Sequence, residues 1–283
     1  MLFLILATLA SAGNALTMKF ASSRSDNTWS LLLFNYLAAT LLSAASVTRA
    51  GLDLGAVGLP VWALGLVAGV LFISTFALLQ LNVRKNGATV SSSVARMGAT
   101  IPMMLSIALF GERPTLAGST GIALAVAATF LLAMPRSETS DSPISQRRLL
   151  IPMVLAGGLA DTMPKIFEVT GNAAHEEAYV LMTFATAFAI CLAMLLRARE
   201  RPTPIDIALG SMLGAFNFFS TDLMVRALIE LPAHVVYTGF SMGVVLVTFG
   251  ANAFIMHEPL SRRDHVALAL VIAALALINL PAH

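Results

Sequence analysis

Residues 102–128, PMMLSIALFGERPTLAGSTGIALAVAA, have a second, looser copy at 248–274, TFGANAFIMHEPLSRRDHVALALVIAA, and this repetition decides the fold. A shift of 146 positions carries Glu112 onto Glu258, Ala123-Leu124 onto Ala269-Leu270 and Ala127-Ala128 onto Ala273-Ala274. Followed outward, the same shift lays Phe72-Ile73-Ser74-Thr75 on Phe218-Phe219-Ser220-Thr221, Ala39-Thr40 on Ala185-Thr186, Leu9-Ala10 on Leu155-Ala156 and Lys19 on Lys165. Alanine and leucine matches between apolar helices carry little weight. The Ser-Thr pair, the glutamates and the lysines at one shift, with no gap, carry the argument for an internal duplication.

The composition says what is duplicated. Of 283 residues, 58% are hydrophobic and 11% charged, with a mean hydropathy of +0.84. A soluble domain carries about 25% charged residues. The balance excludes a disordered chain or a nucleic-acid binder and argues against an ordinary soluble enzyme. Net charge +2 and a pI near 9.0 add little, because in a membrane protein the placement of basic residues matters more than their sum. The single cysteine, Cys191, excludes an intramolecular disulfide and a multi-cysteine metal site.

Apolar runs bounded by polar, Pro or Gly punctuation predict ten spans, near 2–20, 29–48, 59–82, 87–110, 115–134, 149–170, 177–196, 205–229, 233–256 and 264–281. Spans of this length in lipid are helices, since every backbone group must be bonded internally. The expected fold class is therefore an all-α integral membrane protein. Residues 1–134 form a first five-helix repeat, 135–148 (PRSETSDSPISQRR) a polar linker, and 149–283 a second repeat. Five is odd, so the second repeat enters the membrane from the opposite side and is inverted. Inverted repeats characterise secondary transporters, with the site near the midplane. Because 2–20 has a counterpart in span six, it reads as a retained span and not a cleaved signal. Alternate loops hold Arg24; Arg84 and Lys85; Arg136, Arg147 and Arg148; Arg197, Arg199 and Arg201; and Arg262 and Arg263, against Arg49 and Arg113 on the other side. Positive-inside bias puts the first set in the cytoplasm and both termini outside, in the cytoplasmic (inner) membrane of the cell.

Gly111-Glu112-Arg113 at the end of span four, the small-residue span five that follows, Pro102 within span four and the echo His257-Glu258-Pro259-Leu260 make the chain resemble the EamA-like branch of the drug/metabolite transporter superfamily. The second echo departs from that pattern with His257 where glycine is usual, and Thr248 stands at the position equivalent to Pro102, so a kink need not be symmetric. The resemblance implies ten helices around a central cavity and movement of small metabolites, often outward.

Ionisable residues at bilayer depth mark function by default. Asp161 and Lys165 in span six, and Asp222 and Arg226 in span eight, are spaced i,i+4 and suit intrahelical ion pairs. A carboxylate freed from such a pair and facing the cavity would take a cationic group or a coupling proton. Arg96 has no acidic residue within helical reach in span four, so it needs a partner from another helix or a carboxylate on the cargo. Asn14, Asn35 and Asn217 serve as cavity hydrogen-bonding groups or as glue between helices, as does Gln80. Tyr36, Tyr179 and Tyr237 line a cavity or pack; the polar run Tyr237-Thr238 and Ser241 favours Tyr237. Lys19 and Lys165 are expected to snorkel, Glu112 and Glu258 to cap the helices that follow them, and Glu176 and Glu177 to form a solvated start to span seven. Gly65-x-x-x-Gly69, with Ser211-x-x-x-Ala215 at the same shift, is a close-packing signature.

The candidate substrate residues are thus Asn14, Asn35, Arg96, Asp161, Asn217, Asp222 and Tyr237. No phosphate loop, His-Glu-x-x-His or Gly-x-Ser-x-Gly motif occurs, so no cofactor, metal or ATP drive is expected. The expected partners are a small-molecule substrate, membrane lipid and a coupling proton or ion; the sequence leaves the oligomeric state open and is compatible with a monomer. The expected activity is secondary transport, with export favoured, of a small polar metabolite such as an amino acid. The alternatives are an integral-membrane enzyme, which needs convergent catalytic groups at one depth, and a passive channel, which needs rings of like residues.

Overall fold

The computed structural model describes residues 1–22, 24, 27–86, 91, 94–134, 147–199, 201–254 and 261–278. Among them there is no strand. The α-helices whose bounds are described are α1 (Leu2–Ser22), α2 (Thr28–Ala50), α3 (Leu59–Asn86), α4 (Thr100–Ala108), α5 (Leu116–Ala133), α6 (Leu150–Thr170), α7 (Glu176–Ala198), α8 (Pro204–Glu230), α9 (Ala233–Phe254) and α10 (Arg262–Ile278). Among the described residues, eight helices are long and apolar enough to cross a membrane. α4 lies within a shorter apolar stretch Met97–Ala108, and 17 residues of α10 are described. Leucines such as Leu59, Leu116 and Leu196 are left exposed, which a lipid environment tolerates and water does not.

The helix starts follow from local side-chain chemistry. Asn27 accepts from the Ser30 N–H at the start of α2, and Thr115 from the Gly118 N–H at the start of α5. At α8 the Thr203 N–H donates to Asp206 while the Asp206 N–H donates to the Thr203 hydroxyl. Ser261 and Asp264 make the same reciprocal pair at α10. Such boxes satisfy backbone donors that a helix start leaves unpaired. This lets Asp206 and Asp264 be buried.

Span four differs from its expectation as one continuous helix. A 3-10 turn at Arg96–Ala99 precedes α4, and Pro102 falls in the first turn of α4. Proline has no N–H to bond the carbonyl four residues back, so a continuous α-helix through 98–102 would lack that bond. The first turn tolerates it. At the equivalent position in α9, Thr248 sits within an unbroken helix and donates its hydroxyl to the Val244 carbonyl at 2.7 Å.

The chain divides into two compact units, and each draws helices from both sequence halves. The first comprises Met1–Ile73 and Met163–Glu230, the second Ser74–Thr162 and Leu231–His283. Helices α3 and α6 therefore each belong to both units, dividing after Ile73 and after Thr162.

In the first unit α8 lies along α1 and α2, and α2 along α7. The contacts are made by glycine. A Cβ at Gly214 would collide with the Asn35 carbonyl, and one at Gly210 would lie 2.6 Å from the Leu31 carbonyl. Gly65 and Gly69 of α3 do the same against α7, Gly65 beside the Tyr179 carbonyl and Met182, Gly69 against Thr183 and Thr186. The expected signature is thus correct for Gly65 and Gly69. On α8 the close-packing residues are Gly210 and Gly214, one position before Ser211 and Ala215. One residue turns a helix face by about 100°, so a shift that aligns sequence need not align the contact face. Tyr36, Phe72 and Phe184 cluster alongside, with centroids 6.4 and 6.5 Å from the Phe184 ring.

In the second unit α5 packs on α10 and α9 on α10 and α4. Its core joins Ala125, Ala128, Met242, Val271 and Ala274. Gly121 meets the Ala274 carbonyl, and Gly158 of α6 meets Ile101 of α4.

Without a water-driven hydrophobic force between helices in lipid, such contacts hold the bundle. Gly214→Leu is expected to lower the unfolding temperature of the detergent-solubilised protein by about 2–12 °C, the overpacking cost of about 1–3 kcal/mol for a chain of this size. Gly250→Ala, with open space around the new methyl, is the control and should not lower it.

Candidate functional site

Most intramembrane charge in the first unit converges on one guanidinium. Arg226 of α8 reaches Asp222 one turn back (Nε to Oδ2, 3.0 Å), so the expected i,i+4 pair forms. It also reaches the start of α7, with Nη2 at 2.7 Å from Glu176 and 3.3 Å from Glu177. Glu176 and Glu177 are therefore not a solvated helix start: Glu176 is buried, and both hold α7 to α8. Two forces place them there. Carboxylates are favoured in the first turn of a helix by its dipole, and Arg226 supplies a counter-charge. Asp222, buried and engaged, is a member of this network.

The second expected pair does not form. Lys165 bridges Glu168 one turn further along α6, at 2.6 Å. Lys165 is buried at 7% exposure, so it does not snorkel, while Lys19 is exposed as expected. Asp161 is left over. It stands mid-helix in α6 with its side chain uncovered by neighbouring helices, and its carboxylate has no hydrogen-bond or ion-pair partner among the described residues.

Asp161 belongs to the second unit, as does the turn that begins at Arg96. Gly98 in that turn lies against α6, where its Cβ would sit 3.3 Å from the Gly158 N–H nitrogen and from the Val154 carbonyl. The backbone at Arg96 thus runs beside the α6 segment immediately before Asp161. The Arg96 side chain lies outside the described residues.

The asparagines sit in the first unit. Asn35 is buried and Asn14 and Asn217 half-buried; Asn217 donates to Asn35 at 3.4 Å, tying α8 to α2. Gly13, next to Asn14, abuts the ring of Phe216, next to Asn217. The three tyrosines are all buried. Tyr36 contacts Phe184, and Tyr179 stacks on Phe167 at 4.5 Å. Tyr237 lies beside Thr238, whose hydroxyl contacts the Met103 sulfur at 3.1 Å. Packing accounts for Tyr36 and Tyr179.

Glu112 caps a helix, but not the one that follows it. Gly111 turns the chain at φ +68°, and the Glu112 carboxylate accepts from the N–H groups of Ala233 and His234 at 2.7 and 2.8 Å, at the start of α9. His234 Nδ1 lies 2.7 Å from the same carboxylate. Thr115 already caps α5, so Glu112 is free to serve a distant helix. Glu258 and His257 lie outside the described residues.

Two partnerships had no sequence signal beyond polarity. Asn82 of α3 donates to the Leu78 and Leu149 carbonyls at 2.8 and 2.9 Å, and Asn86 to Asn82 at 2.8 Å. Arg263 donates to the Leu131 and Met134 carbonyls at the end of α5. Among the described residues no group of three or more His, Cys, Asp or Glu is placed to hold a metal ion.

No family model and no curated protein matches the sequence. The solved structures that match include a crystal structure similar with a TM-score of 0.72 and 17% identity, covering 98% of this chain and 95% of the other. At that identity the similarity is one of fold.

Arg226→Ala would leave three carboxylates around an empty space. Since Arg226 is about one-third exposed, the loss is set below that of a fully buried pair, at about 1–3 kcal/mol. Thermal unfolding should show a larger drop for Arg226→Ala than for Asp222→Asn, which leaves two carboxylates on the guanidinium.

Proposed function

We propose that this chain is a secondary transporter that moves a small polar metabolite, an amino acid or a related compound, across the cytoplasmic membrane, with export the favoured direction. The single observation that carries the reading is Asp161. An exposed carboxylate without a partner, in the middle of a long apolar helix, is costly to keep. The charges of the first unit's network, by contrast, are neutralised by neighbours. Asp161 is the group left to receive a cation from outside the protein, either the amine of the cargo or a coupling proton.

Arg96 is the candidate for the cargo's carboxylate, supported by the course of its backbone beside α6. A cationic and an anionic group on neighbouring segments of one unit suit a zwitterion. Tyr237, of the same unit, is the candidate for orienting it, while Asp222 is engaged in the Arg226 network. Ten spans in two inverted repeats supply the alternating access. The supports are the sequence repeat and the alternation of basic loops.

Two experiments test this. Reporters fused in the linker at Ser140 and after His283 should be read out on opposite sides of the membrane; the same side would overturn the inverted topology. In proteoliposomes, a panel of labelled amino acids should show saturable counterflow for at least one. Asp161→Asn should reduce that flux about 100-fold, the loss of a charge-assisted contact of about 3 kcal/mol, with Arg96→Ala similarly impaired. Wild-type flux in Asp161→Asn at equal protein level would remove the assignment.

A further inference from the structure

We propose that the end of the first unit where α1 passes to α2 and α7 to α8 is a binding site for the phosphate headgroups of anionic phospholipid. Four arginines, Arg24, Arg197, Arg199 and Arg201, are exposed there. The two connections that carry them are held together, because the Asn27 amide donates to the Arg201 carbonyl at 3.2 Å. Beneath them Ala21, Leu31 and Leu213 form a buried cluster with Met18 and Leu209. The cations thus ride on a packed base. Arg199 adopts φ +55° as it ends α7, a backbone that non-glycine residues seldom take, and this turns the chain back toward α8.

Among the described residues, the acid next to the patch in sequence is Asp206. Asp206 is 1% exposed and already accepts from the Thr203 N–H. Asp26 and Glu200 lie outside the described residues and are fewer than the cations.

The apolar rim selects lipid over a free anion. Phe20, Leu196, Ile205 and Ile207 are 43, 70, 47 and 43% exposed and lie next to the cations in sequence. The Arg24 guanidinium sits 4.0 Å from the centre of the Phe20 ring. A phospholipid covers both parts, phosphate on the guanidinium groups and acyl chain on the apolar side chains. Inorganic phosphate covers only the first. Juxtamembrane arginine clusters attract anionic headgroups over about a Debye length.

The test uses the full chain in uncharged detergent, with phosphatidylglycerol, phosphatidylcholine of the same acyl chains, or inorganic phosphate added at equal phosphorus. Phosphatidylglycerol should raise the unfolding temperature by about 3 °C or more relative to phosphatidylcholine, as a ligand of the folded state does. High salt should shrink the difference. Arg24→Gln/Arg199→Gln/Arg201→Gln should abolish it, and the corresponding triple lysine variant should keep it. If the triple glutamine variant does not fold, the three single glutamine variants are read for the same difference. Equal shifts with the two lipids, an equal shift with inorganic phosphate, or an undiminished difference in the glutamine variants would each overturn the proposal.

Discussion

The structure depends on backbones coming within van der Waals contact across helix pairs. Gly214 against Asn35, Gly210 against Leu31, Gly69 against Thr183 and Gly121 against Ala274 each leave no room for a Cβ or only a strained one. In lipid, apolar side chains gain little by leaving one hydrocarbon surface for another, so close packing and hydrogen bonds hold helices together. The glycines also determine what else can meet. With α8 this close to α2, Asn217 reaches Asn35.

Charge inside the bundle obeys a second constraint: each charged group must be neutralised locally or be used. Arg226 gathers carboxylates from two helices, and Lys165 takes Glu168. Glu112 is spent on backbone N–H groups at the start of α9, where a carboxylate compensates donors that the helix itself cannot satisfy. Asp161 is the exception that gives the functional reading its content. An i,i+4 pair with Lys165 would have made Asp161 structural. The preference of Lys165 for Glu168 leaves it available.

The interleaving of the halves explains why local and spatial organisation differ. Each compact unit takes two helices from each half of the sequence and a part of α3 and of α6. Each half of the sequence therefore buries helix faces against the other. Contacts such as α2 with α8 and α5 with α10 are between halves by construction, and so is the Glu112 cap on α9.

The apolar runs, their bounds within a few residues, the membrane-spanning character of most helices and the pair Asp222–Arg226 were legible in the sequence. They depend on neighbours along one chain segment, where spacing alone defines what meets. The break before α4 was half legible, in Pro102. What the tertiary structure decided were the long-range choices: Glu176 and Glu177 on Arg226, Glu112 on α9, Gly210 and Gly214 in place of Ser211 and Ala215, and the release of Asp161. Helix rotation and partner selection set these, and a shift of one residue, invisible to a repeat, changes the face a side chain shows.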